Sequence, residues 1–502
     1  MIFLPIPNGR RVARARLPAR EGGDWARELP RLLDRRPVGV LPLRRSDSWQ
    51  LIWVVAEDSA RRLLATSVIV RGDRIRMLGS RWPAASQMER PLPRLTGLKP
   101  DRGPLPGPVR PDEADLAAAL SRALDPDTPD DRVIATRALG PPAPAPVEPP
   151  TPGYRLGPVH GRSGAPMVLR LDNPQNVQVA SIELGFCHRG LVEALRHADP
   201  PGAVALAGSL AGDAVIAATL AWCELLEGLA GVEVPPQVAL PRATLLELER
   251  CGSHFGTLGA VMEAIGHERA AVALGRLREQ LRQMMATATG NRLGRGVLWP
   301  GGLVRNLNTA GLADRLRDLE GGLTEAEALV ETTWSMSRLE GLGIVSGEEA
   351  QGLGMVGPAA RASGSDKDIR VHFPTGAWWE HPIRNQSQGV GDTLARVRVL
   401  LAELGASVRW LAGVLPRLGP ATAPAPLRIF PDSLGISLIE SARGELALMA
   451  VTDSAGQLLS VEVHDPTVKN VAGVELALRG AEPTDIPAIL QSFNLSPAGY
   501  DR

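Results

Sequence analysis

Cysteine is almost absent. Cys187, Cys223 and Cys251 are the only three in 502 residues, and their spacings form neither a disulfide framework nor a C-x-x-C metal clip. Reduced thiols in or near a core are what such spacing favours. Eight histidines are scattered without an H-x-x-x-H pair, so the chain spells no helical zinc site. Net charge is also missing: 55 basic residues face 55 acidic ones, which removes the global field that would draw the protein to nucleic acid or an anionic membrane. Nucleic acid is therefore not expected as a partner. The first ten residues, Met1 to Arg10, place their apolar side chains before their charges, the wrong order for a secretory signal, so a cytoplasmic address is expected. The nearest thing to a membrane span, Ala203 to Trp222, is rich in Ala and Gly and interrupted by Asp213, which suits a buried helix better than a bilayer.

What is present divides the chain in three. Residues 1–100 read as a small α+β domain, with strands at Val38–Leu43, Leu51–Val55 and Ser67–Val70, and a further strand Arg74–Met77 reached through the two-residue turn Gly72-Asp73. Residues 101–153 form a linker with one short helix over Pro111–Leu124. Seven of the fourteen residues from Gly140 to Gly153 are proline, giving an extended, semi-rigid connector. Residues 154–502 begin with strands over Tyr154–Phe186 and continue as long helices. Apolar residues recur at helical spacing at Leu245, Leu246, Leu248, Phe255 and Leu258, at Val272, Leu274, Leu277 and Leu281, at Leu312, Leu316 and Leu319, and at Leu394, Val397, Leu400, Leu401 and Leu404. Short alternating runs such as Ile436–Ile439 and Leu458–Val463 suggest antiparallel strands appended to that bundle. The fold class is α+β, mainly a long-helix bundle with antiparallel strand regions.

Several motifs in the third part resemble, in order and spacing, a superfamily that joins the large subunit of energy-converting nickel-iron hydrogenases to the quinone-pocket subunit of respiratory complex I. They are Gly157-Pro158-Val159-His160, His188-Arg189-Gly190, and Glu247-Leu248-Glu249-Arg250 followed by Ser253-His254. Pro300-Gly301-Gly302 follows, then Gly357-Pro358-Ala359-Ala360-Arg361-Ala362-Ser363-Gly364 with Asp368 and Arg370, then Asp392 with Arg396, and finally Glu440 to Glu445, including Arg443. The acid expected two residues after Gly190 is Val192, with Glu193 one place late. Trp82-Pro83-Ala84-Ala85, Met88-Glu89-Arg90 and Leu95-Thr96-Gly97 resemble the end of the small complex I subunit that is fused ahead of the large one in formate-hydrogenlyase-type proteins.

The resemblance implies a metal chamber whose ligands are missing. A nickel-iron centre needs four thiolates. The first C-G-x-C falls on Ala211-Gly212-Asp213-Ala214, and the terminal D-P-C-x-x-C falls on Asn494 to Gly499, so Ala211, Ala214, Ser496 and Gly499 occupy the ligand positions. No metal is expected in this chain, and it cannot work as a nickel-iron hydrogenase. The complex I headgroup ligands are replaced as well, by glycine near positions 164 and 212. The resemblance still implies the large subunit of a membrane-associated, hetero-oligomeric oxidoreductase, peripheral to the inner membrane on its cytoplasmic side. An iron-sulfur small subunit and antiporter-like membrane subunits would be its partners, and a quinone-like or other acceptor would take the electrons. The chain itself would hold no cofactor. The rival reading is a catalytically silent scaffold that couples its neighbours.

The charged residues that persist, Glu247, Glu249, Arg250, His254, Arg361, Asp368, Arg370, Asp392, Arg396, Glu440 and Arg443, read either as a buried ion-pair lattice or as a proton path. His160 and His188 read as satisfied turn histidines or as substrate ligands. Asp213 reads first as a helix cap and second as a new functional acid.

Overall fold

Strand-forming residues open the chain. A computed structural model describes residues 3–21, 35–79, 82–100, 154–158, 166–173, 175–421, 424 and 426–501. The linker 101–153, with the helix expected over Pro111–Leu124, and His160 lie outside the described residues.

The first part supplies β1 (Leu4–Pro5), β2 (Arg10–Ala13), β3 (Ala19–Glu21), β4 (Arg36–Arg44), β5 (Ser48–Glu57), β6 (Arg62–Arg71), β7 (Arg74–Ile75), helices α1 (Pro83–Glu89) and α2 (Leu92–Thr96), and β8 (Lys99–Pro100). After the linker come β9 (Tyr154–Leu156), β10 (Val168–Leu171), β11 (Ala180–Glu183), α3 (Leu191–His197), α4 (Val204–Ala207), α5 (Val215–Ala230), α6 (Pro236–Ala264) and α7 (Glu268–Thr289). They are followed by β12 (Leu298–Trp299), β13 (Gly302–Leu303), α8 (Leu312–Val330), α9 (Thr333–Leu339), α10 (Gly347–Gly352), α11 (Gly357–Ala362), α12 (Ile369–His372) and α13 (Thr393–Val414). The chain closes with β14 (Ser433–Ser441), β15 (Gly444–Thr452), β16 (Leu458–His464), α14 (Pro466–Ala477), α15 (Ile486–Phe493) and α16 (Pro497–Asp501).

Two sheets meet face to face. One has the order β1-β6-β5-β4, with β3 parallel to β6; the other has the order β16-β15-β14-β2. Ile6, Val38, Leu41, Ile52 and Val54 of the first part share a core with Leu434, Ile436, Met449 and Val451 of the second sheet. β2 itself pairs with β14, Arg11 opposite Gly435. The described residues among the first hundred are thus built into the body. An ion cluster repeats the joint: Arg36 binds Asp58 at 2.9 Å and Glu445 at 2.6 Å, Lys469 also pairs with Glu445, and Lys367 reaches Asp58 at 3.2 Å. The closing strands are therefore central rather than appended; every residue of β14 and β15 is buried, because α5 covers one side and the first sheet approaches the other.

Three local expectations change. Gly72-Asp73 does not close a hairpin, since β7 leaves the sheet and pairs in parallel with β8. Val272 is exposed on α7, whereas Leu274, Leu277 and Leu281 are buried as their spacing predicts. The apolar stretch Ala203–Trp222 is not one helix but α4, a loop and the start of α5. Among the described residues, Thr393–Arg417 is long and apolar enough by composition to cross a membrane, yet its Arg396 and Glu403 are buried inside the protein.

The helical layer centres on α6, 29 residues and about 44 Å long. Pro236 starts it at a position where its missing N–H costs nothing. A short connection reverses the chain, and His267 Nδ1 accepts the N–H of Ala270 to cap α7. α7 and α13 both lie against α6, and α8 packs on α7 and α13. α6 thus presents charged residues to α13 on one side and to the closing segment on the other.

Candidate functional site

A cavity of about 780 Å³ opens where α6, α7, the loop before α5 and the segment after α15 meet. Gly212 and Asp213 line it from one side, and Asn494, Ser496 and Ala498 from the other, so the two segments that the resemblance marks as ligand-bearing do converge. Arg189, of the His188-Arg189-Gly190 motif, clamps them together. Its guanidinium donates to the carbonyls of Ser209 at 2.7 Å and Leu210 at 2.9 Å, and to that of Ala498 at 3.2 Å. His188 stands aside from the cavity, with Nδ1 2.7 Å from the Asp501 carbonyl.

The donor set does not fit a nickel-iron centre. No cysteine lines the cavity; Cys223 and Cys251 are buried in the core, and burial pushes both thiols up, Cys251 to about 12. At the last ligand position, a side chain on Gly499 would meet Asp465 Oδ2 at 2.4 Å, so a carboxylate already fills the space. Among the described residues, no group of three or more His, Cys, Asp or Glu is arranged to hold a metal ion.

Polar groups line the chamber in specific pairings. Arg443 sits in the two-residue turn between β14 and β15 and grips Asp213 with both guanidinium NH2 groups, the Nη1 to Oδ1 contact being 3.1 Å. Burial alone would raise Asp213, but Arg443 holds it below the usual carboxylate range. Asp213 is therefore not a helix cap. The N-cap of α5 is Ala214, and the carboxylate of Glu249 accepts the N–H groups of Ile216 at 2.6 Å and Ala217 at 2.9 Å instead. Burial pushes Glu249 up to about 8, against the pull of those donors. Asn494 takes a left-handed conformation, φ 50°, that turns the chain from α15 toward Ser496, and its amide donates to Ser253 Oγ at 3.1 Å. The hairpin that carries Arg443 is placed by touching backbones. A Cβ on Gly357, φ 69°, would lie 2.2 Å from the Arg443 carbonyl, and one on Gly444 would lie 2.6 Å from the Gly357 nitrogen.

Behind the chamber lies a second assembly, fully buried. Arg361 binds Glu403 at 2.6 Å and Glu440 at 2.9 Å; Arg250 binds Glu403 at 2.6 Å and the Ser441 carbonyl at 2.5 Å. Arg370 bridges Asp368 at 2.6 Å and Glu247 at 2.9 Å, while Ser407 donates to Glu247 at 2.6 Å. His254 Nε2 lies 2.9 Å from Glu403. Burial raises Glu403, yet Arg361, His254 and Arg250 bring it well below the usual range. Asp368 is lowered in the same way by Arg370 and Arg361, whereas burial and the nearby Asp368 raise Glu440. Burial lowers His254. Four carboxyl groups, Glu247, Asp368, Glu403 and Glu440, thus face three guanidiniums, Arg250, Arg361 and Arg370. Of the four acids Glu440 is the one whose surroundings raise it, through burial and the nearby Asp368, although Arg361 and the Ile369 N–H donate to its two oxygens.

The structure separates the sequence-marked residues into groups. Glu247, Arg250, His254, Arg361, Asp368, Arg370 and Glu440 come together in this network; Glu249 and Arg443 line the chamber. Asp392 and Arg396 belong to neither. Asp392 caps α13, accepting the N–H of Ala395 at 2.7 Å and of Gly341 at 2.8 Å. Arg396 donates to the Gly391 and Gly343 carbonyls and to Ser492 Oγ, and lies over Phe493; burial lowers it to about 9. Glu403, the acid at the centre of the network, was not among the marked residues. The signal for it was one acid inside the apolar stripe Leu400, Leu401 and Leu404.

Comparison with known proteins follows the same lines. The family model for the respiratory-chain NADH dehydrogenase 49 Kd subunit matches residues 265–434. An NADH-quinone oxidoreductase subunit of Clostridium beijerinckii is 26% identical over 342 residues, covering 67% of this chain and 92% of that one. Formate hydrogenlyase subunit 5 of Escherichia coli is 27% identical over 361 residues, covering 69% of this chain and 62% of that one. Among solved structures, a chain of the membrane-bound sulfane sulfur reductase, an archaeal respiratory membrane complex, aligns with a TM-score of 0.66 at 23% identity, across 71% of this chain and 100% of that one. The last likeness shows the fold. Together these matches bear out the superfamily resemblance that the motifs carry.

Proposed function

We propose, from its kinship with the superfamily that joins the nickel-iron hydrogenase large subunit to the 49 Kd subunit of respiratory complex I, that this chain is the large subunit of a membrane respiratory oxidoreductase whose former metal chamber receives a quinone-like acceptor. The observation that carries the reading is the chamber itself. It is open, its walls include Leu248, Leu281, Met285 and Leu490, and a few fixed polar groups converge in it, which is the character of a small-molecule site. Electrons would come from an iron-sulfur cluster in a partner subunit, since this chain has too few thiolates to hold one. Antiporter-like membrane subunits complete the expected assembly, and the chain would sit at the membrane surface through them. Reducing a quinone to a quinol takes two electrons and two protons; Glu249, which burial pushes up to about 8, lines the cavity and would give one proton, and the other would enter from solvent.

Filling the cavity tests this. Met285→Trp projects an indole into the chamber from α7, and in the purified complex it is expected to lower quinone reduction at least tenfold while leaving subunit composition unchanged. Undiminished turnover in an intact complex would remove the chamber from the chemistry and leave the chain as a scaffold.

A further inference from the structure

Among the described residues the charges in the chamber do not balance. Four guanidiniums line it there, Arg278, Arg282, Arg292 and Arg443, against the two carboxyl groups of Asp213 and Glu249. Arg443 is neutralised by Asp213. Arg278 and Arg282 stand one turn apart on α7 and share its cavity-facing side. Among the described residues Arg278 has no carboxylate in ion-pair contact and feels Asp213 and Glu279 only at a distance; Arg282 meets Glu279 only at 3.9 Å. Burial and the neighbouring Arg282 lower Arg278, and Asp213 and Glu279 offset this only in part. The place is also shaped for it. The Arg278 guanidinium lies across α6 at Gly256, where even a Cβ would come within 3.0 Å of its Cζ.

We infer that the chamber selects an amphiphile with an anionic head, which Arg278 and Arg282 bind while the apolar walls take its body. The inference rests on the chamber being an acceptor site and adds the charge class of what enters it. A half-buried guanidinium beside apolar surface discriminates for an anion, because the neutral analogue leaves the cation without a counter-charge. The smaller role of Arg292, exposed at the rim, is to draw the head inward.

The test uses the purified complex and two probes with the same alkyl tail: a 2-hydroxy-1,4-naphthoquinone, ionised at neutral pH, and its neutral 2-methoxy counterpart. Calorimetric titration at low ionic strength is expected to show the anion binding at least tenfold tighter. That preference should collapse toward one in the double variant Arg278→Met/Arg282→Met and survive in Arg278→Lys/Arg282→Lys. Equal affinities in the wild-type complex would overturn the inference, as would a preference unchanged in the double Met variant. Loss of a partner subunit from the double Met complex would overturn it too, by assigning these guanidiniums to protein docking. Failure here is separable from failure of the acceptor reading. A complex that reduces the neutral quinone without charge preference keeps the function and loses this inference. One that binds the anion tightly but reduces no quinone does the reverse.

Discussion

At Glu403, donors from Arg250, Arg361 and His254 converge on one carboxylate that is 2% exposed. Removing it would take from Arg250 and Arg361 the buried carboxylate they share, leaving Arg250 with Glu247 at 3.3 Å and the strand carbonyls, and Arg361 with Glu440 at 2.9 Å and Asp368 at 3.8 Å. Breaking a buried pair costs more than the pair contributes, because the surviving charge stays desolvated. Glu403→Ala is accordingly expected to destabilise the fold by about 3–5 kcal/mol in urea unfolding, with Glu403→Gln milder because it keeps the shape and an acceptor. A loss under about 1 kcal/mol for the alanine variant would mean that the network is solvated and not closed.

Elements differ in how plainly the sequence announced them. α6, α7, α8 and α13 follow from apolar periodicity, and α13 starts at Asp392 because that side chain caps it. Strands β14 and β15 were visible as strands, but not as the centre of the fold. Their burial on both sides depends on β2 and the first sheet, which are more than 350 residues earlier in the chain, and no local pattern encodes such a pairing. β7 misled because Gly72-Asp73 is a good hairpin dipeptide whose pairing was overridden by β8. For the site, the motifs located the chamber and most of the charged network, since both depend on residue types with few other uses in a core. They could not show that Asp213 answers Arg443 or that, among the described residues, Arg278 makes no ion pair with a carboxylate, because those facts belong to three-dimensional neighbourhoods.

The whole molecule carries buried acids of two kinds, and they give its stability a defined pH dependence. Glu89, Glu224 and Glu249 are pushed by burial to about 7, 8 and 8, from 4.5 in the unfolded chain. Between those values the folded state holds protons that the unfolded state has released, so stability falls as pH rises from about 4.5 to 8. Asp58, Asp368, Glu403 and Glu445 are lowered, so their contribution is present at neutral pH and is lost as pH falls through the acid range. His254, lowered by burial, adds to the loss below its unfolded value of 6.5. A thermal melting series should therefore peak near about pH 5 and decline toward pH 8.5, with Glu249→Gln flattening the alkaline limb. An alkaline limb that stays flat in the wild-type protein would contradict the burial of these three acids.

The same scale holds the central proposal, that a chain similar to the hydrogenase large subunit keeps the chamber and holds no nickel in it. Metal analysis of the purified complex, paired with hydrogen-uptake and quinone-reduction assays, tests it most directly. The expected result is iron from a partner cluster, no stoichiometric nickel, no hydrogen turnover, and reduction of a quinone. Stoichiometric nickel together with hydrogen turnover would contradict it and place a metal site among residues other than Ala211, Ala214, Ser496 and Gly499.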